Sequence, residues 1–228
     1  MLLMNSSIKW SILLPSPERI SYLLHNHYDH FLDNWWATFS VAATASLAAL
    51  FFAVFISISA EKFRPINLLL KPIVAASQSF PLQAIAPMII ILLGVGFTTK
   101  TVIAFIIAFF PIYSACSTAL QTTSKPLSSY LSICNGSFAK GMLYIKLPYA
   151  LPAMISAAKV GFTLAVLGAV VAEFIQPDIG IGCLLLLAQS TFDVEVIYIC
   201  LFLLIFQGLS IYGALSYFEN KLIYQRGI

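Results

Sequence analysis

Long runs of uncharged apolar residues alternate with short polar segments along this chain. A bilayer's hydrocarbon core is about 30 Å thick and takes roughly 20 helical residues to cross. Five runs reach that length: residues 37–60, 72–99, 101–124, 151–172 and 196–218. The pattern predicts an all-α, polytopic transmembrane helical bundle with five strong spans, in which residues 1–228 form a single transmembrane domain.

A shorter apolar run, residues 179–192, lies between the last two predicted spans. Its length suits a re-entrant or peripheral helix better than a full crossing. Pro81 and Pro87 interrupt the second span and Pro111 the third. Neighbouring helices, hydroxyl groups or water can satisfy the carbonyls that such prolines free. Broken helices of this kind are more typical of transport proteins than of inert anchors.

Composition supports a membrane protein: 60% of the residues are hydrophobic and 9% are charged, against about 25% charged in soluble domains. The net charge of +3 is scattered along the chain, which argues against nucleic-acid binding. The four cysteines are far apart, without the spacing of a zinc site or a disulfide scaffold, so buried bystander thiols are expected. The N-terminal segment has no signal-peptide cleavage pattern and is read as mature chain.

The distribution of lysine and arginine orients the predicted bundle, because short loops rich in these residues stay in the cytoplasm. With five spans, three basic segments fall on one side; their residues are Lys62, Arg64, Lys71, Lys125, Lys140, Lys146, Lys221 and Arg226. The opposite side receives most of the acidic residues. The loop of residues 125–148 is therefore predicted to be cytoplasmic.

This loop is longer than the connections that usually join neighbouring helices. Residues 127–134 form a mildly amphipathic stretch that Asn135-Gly136 would interrupt, since both residue types tolerate a left-handed cap. Ser137 would cap a second turn, which should end before Leu147-Pro148 because proline disfavours helix in the residue ahead of it. The prediction is a bent helical knob.

The end of the loop resembles the coupling loop of bacterial ABC-importer permeases. Their pattern is Glu-Ala-Ala, three residues, Gly, nine residues, Ile, one residue, Leu-Pro, and Ile145-Lys146-Leu147-Pro148 matches its end. Asn135 stands where that family has glycine, and Ser129-Tyr130-Leu131 replaces Glu-Ala-Ala. The resemblance assigns ATPase coupling to this loop and to these residues: Ser129, Tyr130, Leu131, Asn135, Gly136, Ser137, Phe138, Ile145, Leu147 and Pro148.

Further segments resemble the nitrate, sulfonate, taurine and thiamine-precursor branch of these permeases, among them FPLQAIAPMIIILLGVG (80–96) and VVAEFIQPDIGIGCL (170–184). The family has six spans, the first ahead of the LPSP segment, where this chain has residues 1–14. The resemblance implies a homodimeric permease in the bacterial inner membrane with two cytoplasmic ATPase subunits and an extracytoplasmic substrate-binding protein. ATP and Mg²⁺ would bind the ATPase, leaving this chain without a cofactor and without enzymatic activity.

Small polar residues within the spans are candidates for the solute path: Ser77, Gln78, Gln83 and Gln189, with Glu173 at the edge of the fourth span. Ionisable groups at membrane depth are costly and often functional, yet a structural Glu173 bonded to backbone near Ile179-Gly180 is favoured. Lys159, one of the charges inside a span, is expected to extend towards the cytoplasmic interface.

Three alternatives are weighed against the transporter hypothesis. His25, His27 and His30 with Asp29 and Asp33 contain metal-ligand chemistry, but a solvated interfacial helix is preferred, anchored by Trp35 and Trp36. No His-Glu-x-x-His, Gly-x-Ser-x-Gly or phosphate-binding loop occurs, so an intramembrane enzyme is disfavoured. A membrane channel or assembly subunit is the remaining alternative, although neither has a use for an ATPase-docking loop.

Overall fold

The computed structural model describes residues 15–79, 82–133 and 138–226, and the regular secondary structure of these ranges is helical throughout. A 3₁₀ turn, Leu82–Ile85, precedes the fourth α-helix, and a π-helical turn, Met142–Lys146, precedes the seventh. In chain order the described α-helices are α1 (Pro17–Asn26), α2 (Tyr28–Lys62), α3 (Arg64–Ser79), α4 (Ala86–Leu93), α5 (Phe97–Ile133), α6 (Phe138–Gly141), α7 (Leu147–Ile175), α8 (Ile181–Thr191) and α9 (Val194–Arg226).

Four helical stretches of the described chain are long and apolar enough to cross a bilayer. They are Tyr28–Lys62, Phe97–Thr122, Phe138–Ile175 and Val194–Lys221. These stretches contain the first, fourth and fifth predicted spans and residues 101–122 of the third, so the sequence prediction is confirmed for those four. Helix α8 has 11 residues and is too short to cross, as the run 179–192 predicted.

The bounds predicted for the second span, residues 72–99, are wrong, although shorter helical pieces lie there as its prolines predicted. Helix α3 begins at Arg64 rather than at Pro72. Helix α4 starts anew with Pro87 in its first turn, where a missing N–H deprives the helix of no hydrogen bond. It ends at Leu93 and is followed by Gly94, whose φ of 78° is readily adopted by glycine alone.

Contacts between helices place the charged residues at two ends of the bundle. The basic end, defined by Lys62, Lys140 and Lys146, is where the last turn of α2 meets the start of α7 through Glu61 and Lys146. The acidic end, defined by Asp178, Asp193 and Glu195, is where Thr38 near the start of α2 meets Glu173 near the end of α7. Helices α2 and α7 are therefore antiparallel.

The connection between α2 and α5 must also cross the bundle. Helix α2 finishes at the basic end, whereas α5 starts at the acidic end, where Lys100 pairs with Asp178. Helix α3, the 3₁₀ turn and α4 lie between them in the chain, so together they provide the fifth crossing. Over its described residues the chain therefore crosses the bundle five times, and shorter helical pieces build one of these crossings.

The centre of the bundle is a close packing of α2, α5 and α7 around small residues. Ala42, Ala45, Ala49 and Ala53 form a fully buried stripe on α2. On α7, a Cβ added to Gly168 would lie 2.7 Å from the Cα of Ala104 on α5. Small residues let membrane helices approach closely, and the close contact is stabilised by dispersion attraction. This attraction matters because the hydrophobic effect does not drive helices together within lipid. Helix α9 packs against α7 and α8 outside this centre.

The predicted cytoplasmic loop is largely helical in the structure. Helix α5 continues to Ile133, and a single helical stretch runs from Phe138 to Ile175. The prediction that helix ends before Leu147-Pro148 is wrong. Pro148 lies in the first turn of α7, directly after the π-turn, where its ring and missing N–H are accommodated without breaking the helix.

Candidate functional site

A buried ion pair closes the basic end next to the predicted coupling segment. Lys146 Nζ lies 2.7 Å from Glu61 Oε1, and the two side chains are only 10% and 14% exposed. The π-turn places Lys146 there: the Leu147 N–H donates to the Met142 carbonyl, five residues back. Such a wide turn rotates the residues that follow it relative to a regular helix, so it decides which residue faces α2.

The predicted coupling residues that the structure describes lie in the last turns of α5, at the start of α6, in the π-turn and in the first turn of α7. Ser129, Tyr130 and Leu131 are in the last turns of α5, whereas Asn135, Gly136 and Ser137 fall outside the described residues. Phe138 begins α6 and is exposed. Ile145 is half-buried in the π-turn, and Leu147 and Pro148 open α7.

A groove of about 710 Å³ opens between α5 and α7 in the half of the bundle nearer the basic end. Hydroxyl groups and small apolar side chains line it: Pro111, Ser114, Ala115, Thr118, Ala119, Thr122, Ala153, Ser156, Ala157 and Val160. On each helix these residues recur at three- and four-residue spacing, which places them on one face. The sequence analysis did not single out these hydroxyls, although that spacing is visible in the sequence.

A charged cluster joins α7 to α9 behind one wall of this groove. Lys159 Nζ lies 2.5 Å from Glu219 Oε2 and 3.2 Å from Ser216 Oγ. It also lies 5.0 Å from the centre of the Tyr212 ring. The other Glu219 oxygen accepts a hydrogen bond of 2.6 Å from Ser156, which lines the groove. Lys159 is thus paired within the protein.

The acidic end contains a network around the fully buried Glu173 carboxylate. It accepts hydrogen bonds from the Gly182 N–H at 2.7 Å and from Thr38 Oγ1 at 2.9 Å. Thr38 Oγ1 in turn accepts from the Ile181 N–H at 2.8 Å, and Asn34 Oδ1 accepts from the Gly180 N–H at 2.8 Å. The first amides of α8, which have no partner within that helix, are therefore bonded by side chains of α2 and α7.

Another ion pair fixes the loop between α7 and α8. The buried Lys100 ammonium pairs with Asp178 and donates a hydrogen bond of 2.7 Å to the Ile179 carbonyl. Partial burial raises the pKa of the Asp178 carboxyl, but hydrogen bonds from Lys100 and from the Ile179 N–H outweigh burial and hold this pKa below its ordinary value. Asp178 is therefore a carboxylate at neutral pH.

The predicted solute-path residues whose side chains are described, Ser77, Glu173 and Gln189, lie on three different helices. Ser77 donates to the Val74 carbonyl of its own helix, and Gln189 is exposed on α8. Gln78 lies in α3 and Gln83 in the 3₁₀ turn, and their side chains fall outside the description. Glu173 is buried in the network at the acidic end.

Several buried polar residues were missed by the sequence analysis. Asn34 and Thr38 are one helical turn apart on the buried face of α2, a spacing that would have paired them. Gln207 is fully buried in α9, but the sequence does not show which way a single glutamine in an apolar run faces.

Of the predicted histidine segment, His27 and His30 line a surface pocket of about 280 Å³ with Asp193 and apolar residues of α8.

Residues 49–224 match the family model described as "Binding-protein-dependent transport system inner membrane component". The chain belongs to this family of ABC-importer permeases. The permease is 27% identical over 212 residues to a probable ABC transporter permease protein of Haemophilus influenzae, covering 93% of this chain and 86% of that protein. It is 33% identical over 154 residues to the riboflavin transport system permease protein RibX of Chloroflexus aurantiacus, covering 68% of this chain and 58% of that protein.

The fold of the permease is also found in a solved structure. An inward-facing MetNI methionine ABC transporter has a chain that superposes with a TM-score of 0.73 at 16% identity, covering 91% of this chain and 99% of that one. At this identity the likeness shows the fold alone. As in other members of the family, the permease is not an enzyme, and ATPase activity lies in a separate subunit.

Proposed function

We propose that the permease forms the solute path of an importer and docks its ATPase through residues 125–148. One geometric observation carries the docking proposal. Helix α5 has 37 residues, about 55 Å at 1.5 Å per residue, whereas a bilayer with its headgroups is about 40–45 Å thick. Starting at the acidic end, α5 is long enough to extend beyond the membrane at the basic end, where the coupling segment follows.

In this proposal two copies of the chain enclose the path, and two ATPase subunits bind ATP and Mg²⁺ in the cytoplasm. An extracytoplasmic binding protein delivers the solute to the acidic end. The basic end faces the cytoplasm of a bacterium, because lysine-rich ends are retained there. The groove between α5 and α7 provides one wall of the path near the cytoplasm.

The groove favours a small organic solute that forms hydrogen bonds. Ser114, Thr118 and Thr122 present hydroxyls, and the nearby Lys159 is neutralised by Glu219. A free sulfonate or nitrate would find no unpaired cation among the described lining residues. RibX bears the name of a riboflavin permease, and a riboflavin-like or thiamine-precursor-like solute suits such a lining better than a taurine-like one.

Affinity purification of the tagged permease from native membranes tests this function. We expect an ATPase with a phosphate-binding loop and an extracytoplasmic binding protein to co-purify, and the ligand of that binding protein to identify the solute. Mg-ATP should then drive uptake of that ligand into proteoliposomes. Purification without any ATPase, from membranes in which ATPases are detected, would favour a channel or assembly subunit instead.

A further inference from the structure

Helices α2 and α7 contact each other through polar side chains at both ends of the bundle. At the basic end, Lys146 Nζ lies 2.7 Å from Glu61 Oε1. At the acidic end, Thr38 Oγ1 lies 2.9 Å from Glu173 Oε1. Along α2 these contacts are 23 residues apart, about 35 Å at 1.5 Å per residue, which exceeds the hydrocarbon core of a bilayer, about 30 Å thick.

Each contact is attached to a different functional region. Lys146 ends the π-turn in the last part of the predicted coupling segment, residues 125–148, so a movement of that segment acts directly on Glu61. Thr38 and Glu173 bond the Ile181 and Gly182 amides at the start of α8. A displacement of α2 relative to α7 therefore changes the hydrogen bonds that hold α8.

The interface of α2 and α7 between the two contacts is closely packed and therefore stiff. The fully buried alanines at positions 42, 45, 49 and 53 of α2 belong to the same core as Ala165 and Ala169 of α7. Closely packed interiors are not continuously deformable and transmit displacement. Glu61 and Lys146 are also mostly shielded from water, so their attraction is screened less than that of a surface pair.

We propose that Glu61 and Lys146 are positioning residues that transmit the nucleotide state of the ATPase through α2 and α7 to the start of α8. This rests on the ATPase docking proposed above. The pair contacts neither ATP nor solute. The pair makes α2 move together with the coupling segment. The hydrogen bonds at the start of α8, at the extracytoplasmic face, therefore break or form as the ATPases open or close.

Hydrogen exchange of the purified permease–ATPase complex tests the proposal, with Mg-ATP plus vanadate as the probe and no solute needed. In the wild-type complex, trapping nucleotide should change the exchange rate of the amides at positions 180–184. In Glu61→Gln and in Lys146→Met, we expect that nucleotide-dependent change to shrink at least fivefold. The swapped variant Glu61→Lys/Lys146→Glu should restore most of it.

The matched control is Lys221→Gln, which removes an exposed lysine of α9 outside residues 125–148 and should leave the response unchanged. A purely structural pair would alter exchange equally with and without nucleotide, and that result overturns the proposal. So does a full response in both single variants, or loss of the ATPase from them. A wild-type complex whose ATP hydrolysis is stimulated by the binding protein, but whose amide exchange at 180–184 does not change with nucleotide, contradicts this inference alone. A permease that purifies without an ATPase contradicts the proposed function itself.

Discussion

Glu173 on α7 accepts a hydrogen bond from the Gly182 N–H on α8 at 2.7 Å. This contact makes a buried carboxylate part of the start of another helix. A hydrogen-bond acceptor is favourable there, because the first N–H groups of a helix have no partner within that helix. Thr38 completes the arrangement by bonding both Glu173 and the Ile181 N–H, so three helices meet at one polar point.

Replacing Glu173 with alanine should destabilise the permease. The variant leaves the Gly182 N–H buried without an acceptor and takes a partner from Thr38, and one unsatisfied buried donor costs about 1–3 kcal/mol. Thermal unfolding in detergent would show a lower Tm. Asp33→Ala is the control, since Asp33 is an exposed carboxylate at the same end of α2. Equal Tm values for the two variants would contradict the structural role.

Gly180→Ala should destabilise the permease more than the same substitution at a glycine with open space around it. Gly180 has φ of 135°, and an added Cβ would overlap the Glu173 carboxyl. An unfavourable backbone region alone costs about 1–3 kcal/mol, and the overlap adds to this cost. Gly208→Ala, in open space on α9, is the control and should change the Tm little. A tolerated Gly180→Ala would mean that α8 starts differently.

The pair of Lys100 and Asp178 predicts a pH dependence. The pKa of Asp178 is lower in the folded protein than the ordinary aspartate value of about 3.9. Its stabilising contribution is therefore complete above that ordinary pKa and is lost as the pH falls through the lowered folded pKa. Asp178→Asn should lower the Tm at pH 6, and the difference from wild type should shrink below about pH 4. A difference that stays constant down to pH 3 would exclude this titration.

Lys159 and Glu219 should show strong coupling in a double-mutant cycle. Both side chains are mostly buried, and removing one partner strands the other charge, which costs about 1.5–3 kcal/mol for a charged hydrogen bond. Lys159→Met and Glu219→Gln should each lower the free energy of unfolding in detergent, and the double variant should lose less than the sum. Strict additivity would show that the two side chains do not interact.

Filling the groove between α5 and α7 should block transport. Thr118→Trp places a large ring among small residues of the groove, and we expect uptake to fall at least tenfold while the complex still assembles. Leu167→Trp is the control, because Leu167 is an exposed residue of α7 outside the groove. Normal uptake by Thr118→Trp would remove the groove from the solute path.

Proline shows most clearly where sequence reasoning succeeded and failed. The prolines of residues 72–99 predicted a broken helix, and the structure has α3, a 3₁₀ turn and α4 there. Leu147-Pro148 was expected to end a helix, yet the helical stretch runs through it. A proline lacks the N–H for one helical hydrogen bond. Whether the helix then ends or continues after a π-turn depends on the residues that pack around the proline.

By itself the sequence determined the membrane class, the four long spans, the short α8 and the family. Length and hydropathy suffice for these because a bilayer requires about 20 apolar residues with internally satisfied backbone. Only the tertiary structure decided that Glu173 holds α8, that Lys146 meets Glu61 and that Lys159 meets Glu219. The partners in these pairs are 9, 85 and 60 residues apart in the chain. The sequence does not specify which helix packs against a given apolar face, so it does not predict these partners.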